Sequence, residues 1–207
     1  MKDINNHKGL NSIWTESLAR NLHPDSNALV DHLKIVHQEY TGFTEMCASS
    51  CRDKNGSNSY EWLAELVPND ESLSVLDLAC GSGPLLKILF DRNKNLNLKG
   101  IDMCPEELAL AKTRLVNSGT SLFESKAQNL SVIYDNSIDI VLCHWALTLM
   151  DPIAPVLDEV KRVLTSQGRF AALVDGPMNA APGYKEVHDL IYSYVQEEIP
   201  NYGKIDL

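Results

Sequence analysis

The sequence predicts an α/β fold, a doubly wound and mostly parallel sheet with helices on both faces. Three observations carry that prediction. From residue 73 onward, short β-type runs alternate with helix-length amphipathic runs, the pattern of parallel strands joined by right-handed crossovers. The runs Val75-Leu76 and Ile138-Asp139-Ile140-Val141-Leu142 are nearly continuous in apolar residues, as expected for strands covered on both faces. The first strand also runs directly into Cys80-Gly81-Ser82-Gly83 at the start of a helix, where such sheets place a ligand.

The elements follow in order. Leu29, Leu33, Val36 and Tyr40 recur at i, i+4, i+7 and i+11, one stripe of a helix. Ala48-Ser49-Ser50 and Asp53–Ser57 read as loop. Asn58 with Glu61 three residues on predicts a capping box ahead of Tyr60, Leu63 and Val67. Strands are predicted at 73–78, 96–102, 120–124, 138–144 and 169–175. One helix opens at Pro84, a favoured first-turn residue. Another opens at Pro105-Glu106-Glu107, whose acids suit the positive end of a helix dipole, and presents Leu108, Ala111 and Leu115. A third is expected to take Asp151 as cap and Pro152 in its first turn, to bury Ile153, Val156, Leu157, Val160 and Leu164, and to stop at Gly168. A last helix is predicted over 184–198. The domain reading is a helical lid over 1–70 and a ligand-binding core over 71–207.

Composition excludes several classes. The chain has 207 residues, 44% hydrophobic and 22% charged, enough to bury a core. Eighteen basic against 28 acidic residues leave a net charge of -10, which counts against nucleic acid as a partner. No apolar run reaches the roughly 20 residues needed to span a bilayer, and the stretch Met1–His7 has no secretory h-region. Five cysteines, an odd number without a disulfide-scaffold pattern, point to reduced thiols and a cytoplasmic protein.

The chemistry sits at the end of the first strand, Asp77-Leu78-Ala79-Cys80-Gly81-Ser82-Gly83-Pro84. Gly81 and Gly83 allow a tight turn and close approach to a ligand. Nineteen positions after Gly83 the second strand ends in Asp102, where an acid would accept hydrogen bonds from the two hydroxyls of an adenosine ribose. NAD fits this order poorly. Leu86 stands where the dinucleotide fingerprint has its third glycine, and Pro84 removes a backbone N–H where a pyrophosphate would be held.

Val75–Gly83 resembles motif I of the class I S-adenosylmethionine-dependent methyltransferases, with their Rossmann-like fold. Gly100-Ile101-Asp102-Met103 resembles their next motif, Asp135–Leu147 their fourth-strand motif, and Glu159–Leu164 with Gly168-Arg169-Phe170 the approach to their fifth strand. The likeness covers about residues 70–176 and is greatest to the small-molecule, type-11 branch, in which N-terminal helices cover the cofactor. It implies S-adenosyl-L-methionine as cofactor. Ala79, Cys80, Gly81 and Gly83 would line its methionine part and Asp77 would orient the loop. Asp102 would hold the ribose, Met103 would lie against the adenine, and Cys143 would offer its carbonyl to the ammonium. Tyr40 would lay a ring near the sulfonium or pack in the core, and the same choice holds for Trp145.

Two features depart from the family. Lys126 stands where an Asp usually accepts from the adenine amino group, leaving Gln128 or Asn129 as substitutes. The chain stops 32 residues after Asp175, room for a helix but not for the family's terminal strand hairpin, so the fold is expected to be abbreviated or the chain truncated. The fifth strand would then be an open edge, which predicts a homo-oligomer or a cover over that edge.

His144 is the candidate base, able to take a proton from an acceptor hydroxyl, thiol or amine; the alternative is a packed histidine. Asp175 either assists the substrate or caps a turn. Cys47 and Cys51, four apart, lack further ligands at metal spacing, and no metal is expected. The expectation is a methyltransferase acting on a small-molecule acceptor. Its rivals are a cofactor-binding scaffold without turnover and, further off, a NAD-dependent oxidoreductase.

Overall fold

The computed structural model describes residues 11–177 and 181–198; the Met1–His7 stretch and the end of the 71–207 core expected above lie outside them in part or whole. Two compact units result, one drawing on residues up to Glu39 together with those from Asp175 onward, the other running Tyr40–Val174.

The larger unit is a five-stranded parallel sheet. Its strands are β1 Ser74–Leu78, β2 Asn97–Asp102, β3 Ser121–Glu124, β4 Ile138–His144 and β5 Leu164–Leu173, in the order β3-β2-β1-β4-β5. Strand order therefore reverses between β1 and β4, the point where such sheets bind ligands. In this unit lie α3 Phe43–Ser50, α4 Ser59–Ala64, α5 Pro84–Arg92, α6 Pro105–Arg114 and α7 Ile153–Val163. The period-2 alternation of β1 and β4 divides the core. Val75, Ile140 and Leu142 pack with Tyr60, Leu63, Leu85, Leu86, Leu89, Leu108 and Ala111 of α4, α5 and α6. Leu76, Leu78, Ile101, Val141 and Cys143 pack with Val156, Val160 and Val163 of α7 and with Leu130 and Ile133.

The smaller unit contains α1 Ile13–Ala19, α2 Ser26–Glu39 and α8 Tyr184–Glu198. Ser12 caps α1 in a box with Thr15, and Trp14, Leu18, Ala28 and Leu29 form its apolar cluster, joined by Leu33 and Val195.

Most elements stand where the periodicity placed them, including the Asn58–Glu61 capping box, in which the Asn58 side chain accepts from the Glu61 N–H at 2.9 Å. Four details differ. Residues 48–50 close a helix, α3, whose one buried residue is Ala48; with so small a buried face it shows no hydrophobic period. Tyr40 follows α2 and is 43% exposed, so the stripe's core is Leu29 and Leu33. Pro152 is itself the N-cap of α7, and Ile153 and Leu157 are exposed, because the buried face runs along Val156, Val160 and Val163 only. Finally, β5 begins at Leu164 rather than near Arg169. Ile138 pairs with Leu164 and Ile140 with Arg169, so residues 165–168 bulge out of register. Gly168 lies in that bulge instead of capping α7: a Cβ on it would stand 2.8 Å from Leu164 Cδ2 and 3.1 Å from the Ile138 carbonyl oxygen.

Among the described residues β5 pairs with β4 alone, and no strand of a terminal hairpin occurs.

Candidate functional site

The loop after β1 is built from unusual backbone. Ala79, Gly81 and Gly83 all have positive φ, at 60°, 51° and 78°, the region L-residues avoid and glycine enters readily. A Cβ on Gly83 would lie 3.2 Å from Ala111 Cβ and from Leu115 Cδ1, so glycine there also lets α6 pack closely.

The loop is tied to β2. The Gly81 N–H donates to Asp102 Oδ2 at 2.8 Å, and the Cys104 N–H donates to Asp102 Oδ1 at 2.8 Å. These bonds set the Asp102 carboxylate at the mouth of the switch point. Met103 follows it, half-buried. The Cys80 N–H donates to the Ile101 carbonyl and the Gly83 N–H to the Cys80 carbonyl, both at 2.9 Å. With Pro84 lacking an N–H, residues 81, 83 and 84 offer no donor to a pyrophosphate. The donor set suits a nucleoside ligand without phosphate.

Asp77 lies beneath the loop, 2% exposed, and its Oδ1 has no hydrogen-bond partner. Burial, reinforced by the charge of Asp102, holds its carboxyl far above the ordinary carboxylate range. An orphaned buried acceptor under a nucleoside site is a feature that a cationic or hydrogen-bond-donating ligand group would satisfy. Burial likewise raises the Cys80 thiol, and pushes Cys104 to about 11 and Cys143 to about 12; none is an activated nucleophile. Cys143 is fully buried, opposite Leu78 of β1 and Ala172 of β5.

His144 ends β4 at 5% exposure. Its Nε2 is 2.8 Å from Ser59 Oγ, its ring stacks on Tyr60 at 3.8 Å between centroids, and its Nδ1 is buried without a partner. Burial lowers its pKa to about 4, so the ring is neutral at pH 7. The next residue, Trp145, has φ 52° and donates its N–H to the Leu173 carbonyl at 2.9 Å. For a bulky residue that backbone costs about 1–3 kcal/mol; its ring packs against the α4–α6 side of the core.

The structure thus gathers Asp77, Ala79, Cys80, Gly81, Gly83, Asp102 and Met103 around one loop. Asn129 is engaged in its own turn, its Oδ1 accepting from the Ser131 N–H at 3.2 Å. Gln128 reaches the Asp151 carbonyl at 3.4 Å, and Lys126 is exposed in the turn after β3. Tyr40 and Asp175 are exposed, and Asp175 falls in the smaller unit. Cys47 and Cys51 are exposed thiols, and among the described residues no group of three or more His, Cys, Asp or Glu is arranged to hold a metal.

Sequence reasoning missed a polar cluster beside the loop. Glu45 of α3 receives Arg114 of α6 in a fork, at 2.8 and 2.7 Å, and the Ser82 hydroxyl at 2.7 Å. Arg114 also donates to the Ser82 carbonyl at 2.9 Å, and the Gly42 N–H donates to Glu107 Oε1 at 2.8 Å. Glu107, read from sequence as an acid suited to the positive end of the helix dipole, is 3% exposed. The one available signal was a basic residue in the last turn of α6.

A parallel sheet with a glycine loop at the switch point and a strand-end acid bonded to that loop defines a nucleoside-cofactor-binding domain. Comparison with known proteins gives the class. Residues 76–172 match the family model described as a methyltransferase domain. A demethylmenaquinone methyltransferase of Thermotoga maritima is 30% identical over 142 residues, 68% of this chain and 59% of that protein. A malonyl-[acyl-carrier protein] O-methyltransferase of Pectobacterium atrosepticum is 28% identical over 64% of this chain and 52% of that protein. The crystal structure of an S-adenosylmethionine-dependent methyltransferase from Mesorhizobium loti has the same fold, with a TM-score of 0.51 and 23% identity over 60% of this chain and 57% of that one. Over its sheet, this chain is thus similar in sequence to a methyltransferase domain and shares the fold of S-adenosylmethionine-dependent methyltransferases. The chain spans little more than half the length of these two curated relatives.

Proposed function

We propose that the protein transfers a methyl group from S-adenosylmethionine to a small-molecule acceptor. The observation that carries this reading is the Gly81–Asp102 hydrogen bond, which joins the glycine loop to the strand-end acid in a donor set without pyrophosphate contacts. The cofactor supplies an electrophilic methyl on a sulfonium. What remains for the protein is to hold donor and acceptor in line, an effect worth roughly 7–11 kcal/mol at best.

In this reading Ala79, Cys80, Gly81 and Gly83 line the methionine part, Asp102 takes the ribose hydroxyls and Met103 lies against the adenine. Cys143 offers its carbonyl to the ammonium, and Gln128 is better disposed than Asn129 to reach the adenine side. His144, oriented by Ser59 and neutral, takes a proton where the acceptor must lose one. The helices that residues 1–70 contribute to the larger unit, α3 and α4, serve as the lid that excludes water, with Tyr40 at its boundary. The relatives' names carry different acceptors, in keeping with specificity set by lid and loop side chains rather than by the fold. No helix among the described residues is long and apolar enough to cross a membrane, and five cysteines without a disulfide-scaffold pattern support a cytoplasmic placement. The acidic net charge argues against nucleic acid, and the unpaired side of β5 favours a second copy as its cover.

Calorimetric titration with S-adenosylhomocysteine, with NAD in parallel, tests the reading. Micromolar binding of the first alone, abolished by Asp102→Ala, is expected. Binding with no methyl transfer to any of a panel of small acceptors would favour the scaffold alternative, and NAD binding alone would overturn the cofactor assignment. With an acceptor in hand, His144→Ala should lower kcat by about 10²-fold.

A further inference from the structure

α3 is fastened to the glycine loop by polar contacts rather than by a core. Of its eight residues only Ala48 is buried, while Phe43 and Met46 are 49% and 64% exposed. An apolar helix face normally holds such an element down; here that face is almost absent. In its place stand the forked Glu45–Arg114 pair, the Ser82 hydroxyl on Glu45 Oε2, Arg114 on the Ser82 carbonyl, and the Gly42 N–H on buried Glu107. Ser82 lies between the two loop glycines, and Glu107 Oε2 is 3.9 Å from where a Cβ on Gly81 would be. Beside the buried Ala48, each of these polar contacts ends on the loop or on the helix that backs it. The Glu45 and Arg114 side chains are each 27% exposed, shielded enough for the pair to hold and open enough to water for it to part.

From this geometry we propose that Glu45 and Arg114 form a latch, closing α3 over the cofactor loop and limiting the rate at which the nucleoside ligand enters and leaves. Both are positioning residues: they act through Ser82 and the loop backbone, not on the reacting atoms. Segments that open for ligand exchange come from the least stable parts of a fold, and a helix held by one buried alanine, one ion pair and a few hydrogen bonds meets that description. The proposal rests on the cofactor reading above.

The test uses the full chain and two readouts. Amide hydrogen exchange of residues 43–50 in the free protein should quicken about tenfold in Glu45→Gln, with β1 and β4 amides unchanged. Stopped-flow binding of S-adenosylhomocysteine should show association and dissociation both faster by about five- to tenfold, with a smaller change in Kd. The effect of the double variant Glu45→Gln/Arg114→Gln should fall well short of the two single effects combined, since the shared Glu45–Arg114 pair is broken in all three. Ser82→Ala, which removes a single hydroxyl, supplies a milder variant should the others fold poorly, and should quicken both rates in the same direction.

Unchanged exchange in α3, additive effects of the two substitutions, or a weaker Kd arising from dissociation alone would overturn the latch. Quickened α3 exchange in Glu45→Gln, with no binding of S-adenosylhomocysteine by the wild-type chain, would instead defeat the cofactor reading, and with it the gating role.

Discussion

Leu86 fills the space above Gly100. A Cβ on Gly100 would lie 2.7 Å from Leu86 Cδ1 and 2.8 Å from both Cys80 Sγ and Leu122 Cδ2. Dinucleotide-binding folds gain close helix–strand packing from a glycine on the helix; here a leucine is on the helix and the glycine is on β2. Leu86 is fully buried, so it has nowhere to retreat. Gly100→Ala should destabilise the chain by about 1–3 kcal/mol through overpacking, read as a lower urea midpoint. Leu86→Ala alone should cost about 2–5 kcal/mol, and the double variant should cost less than the sum, because each change relieves the other. Additive costs would mean that the two positions do not share this space.

How much was legible follows from where each interaction lies along the chain. Strands β1 and β4 and helices α5 and α6 declare themselves by period and by end signals such as Pro84 and Pro105, so their placement needed no tertiary information. The glycine loop and Asp102 were legible because a ligand site at a switch point leaves a local mark in sequence. The Ser59–His144 and Glu45–Arg114 contacts join positions 85 and 69 residues apart, and no local pattern encodes them. α3 escaped because it buries one residue, and the early start of β5 escaped because its bulge breaks the period on which strand assignment rests.

Arg162 holds the segment between β3 and β4 in place. It donates to the Ile133 carbonyl at 3.0 Å and the Leu130 carbonyl at 2.9 Å, and meets Glu159 through Nε at 2.7 Å. Glu159 in turn accepts the Leu130 N–H at 2.5 Å. Leu130 and Ile133 are both core residues, so Arg162→Met should cost about 2–4 kcal/mol. Arg162→Lys should not rescue it, since an ammonium cannot serve the same fork. The Arg162 hydrogen bond holds the Glu159 carboxyl below its usual range of about 4.5. That contribution is present above the unfolded pKa and is lost as pH falls through the folded one. Acid unfolding of Arg162→Met should therefore lack this component, a comparison that circular dichroism along a pH series makes directly.

Burial of His144 gives stability a dependence of its own. Its pKa is 6.5 in an ordinary setting and about 4 here, so between those values the unfolded chain binds a proton that the folded chain refuses. Stability from this group is intact above pH 6.5 and falls as the pH drops toward 4, by about 3 kcal/mol across the window. His144→Phe keeps an aromatic partner for Tyr60 and removes the titration, so its stability should stay level where the histidine contribution falls. A His144 ring that titrates near 6.5 by NMR would show that it is not buried as described.

Asp77 works against His144. Its carboxyl, 3.8 in an ordinary setting, is raised far above that by burial and by Asp102, so above about pH 4 the folded chain keeps a proton that the unfolded chain releases. That lowers stability as pH rises, until the folded group itself ionises. Between pH 4 and 6.5 the two contributions have opposite slopes, and the wild-type profile should be flatter there than either residue alone would make it. Above pH 6.5 His144 is neutral in both states, so a further decline with pH there would come from Asp77 alone. Asp77→Asn puts an uncharged group of the same shape in the same place, with no proton to take up on folding. Its stability relative to wild type should grow as the pH rises above about 4, until the folded carboxyl ionises, and the His144 slope should emerge undiluted in its profile. Urea unfolding of both proteins at half-unit steps of pH measures the difference. A difference that stays constant from pH 5 to 8 would mean that Asp77 is ionised in the folded chain, with a partner on Oδ1 to keep it so.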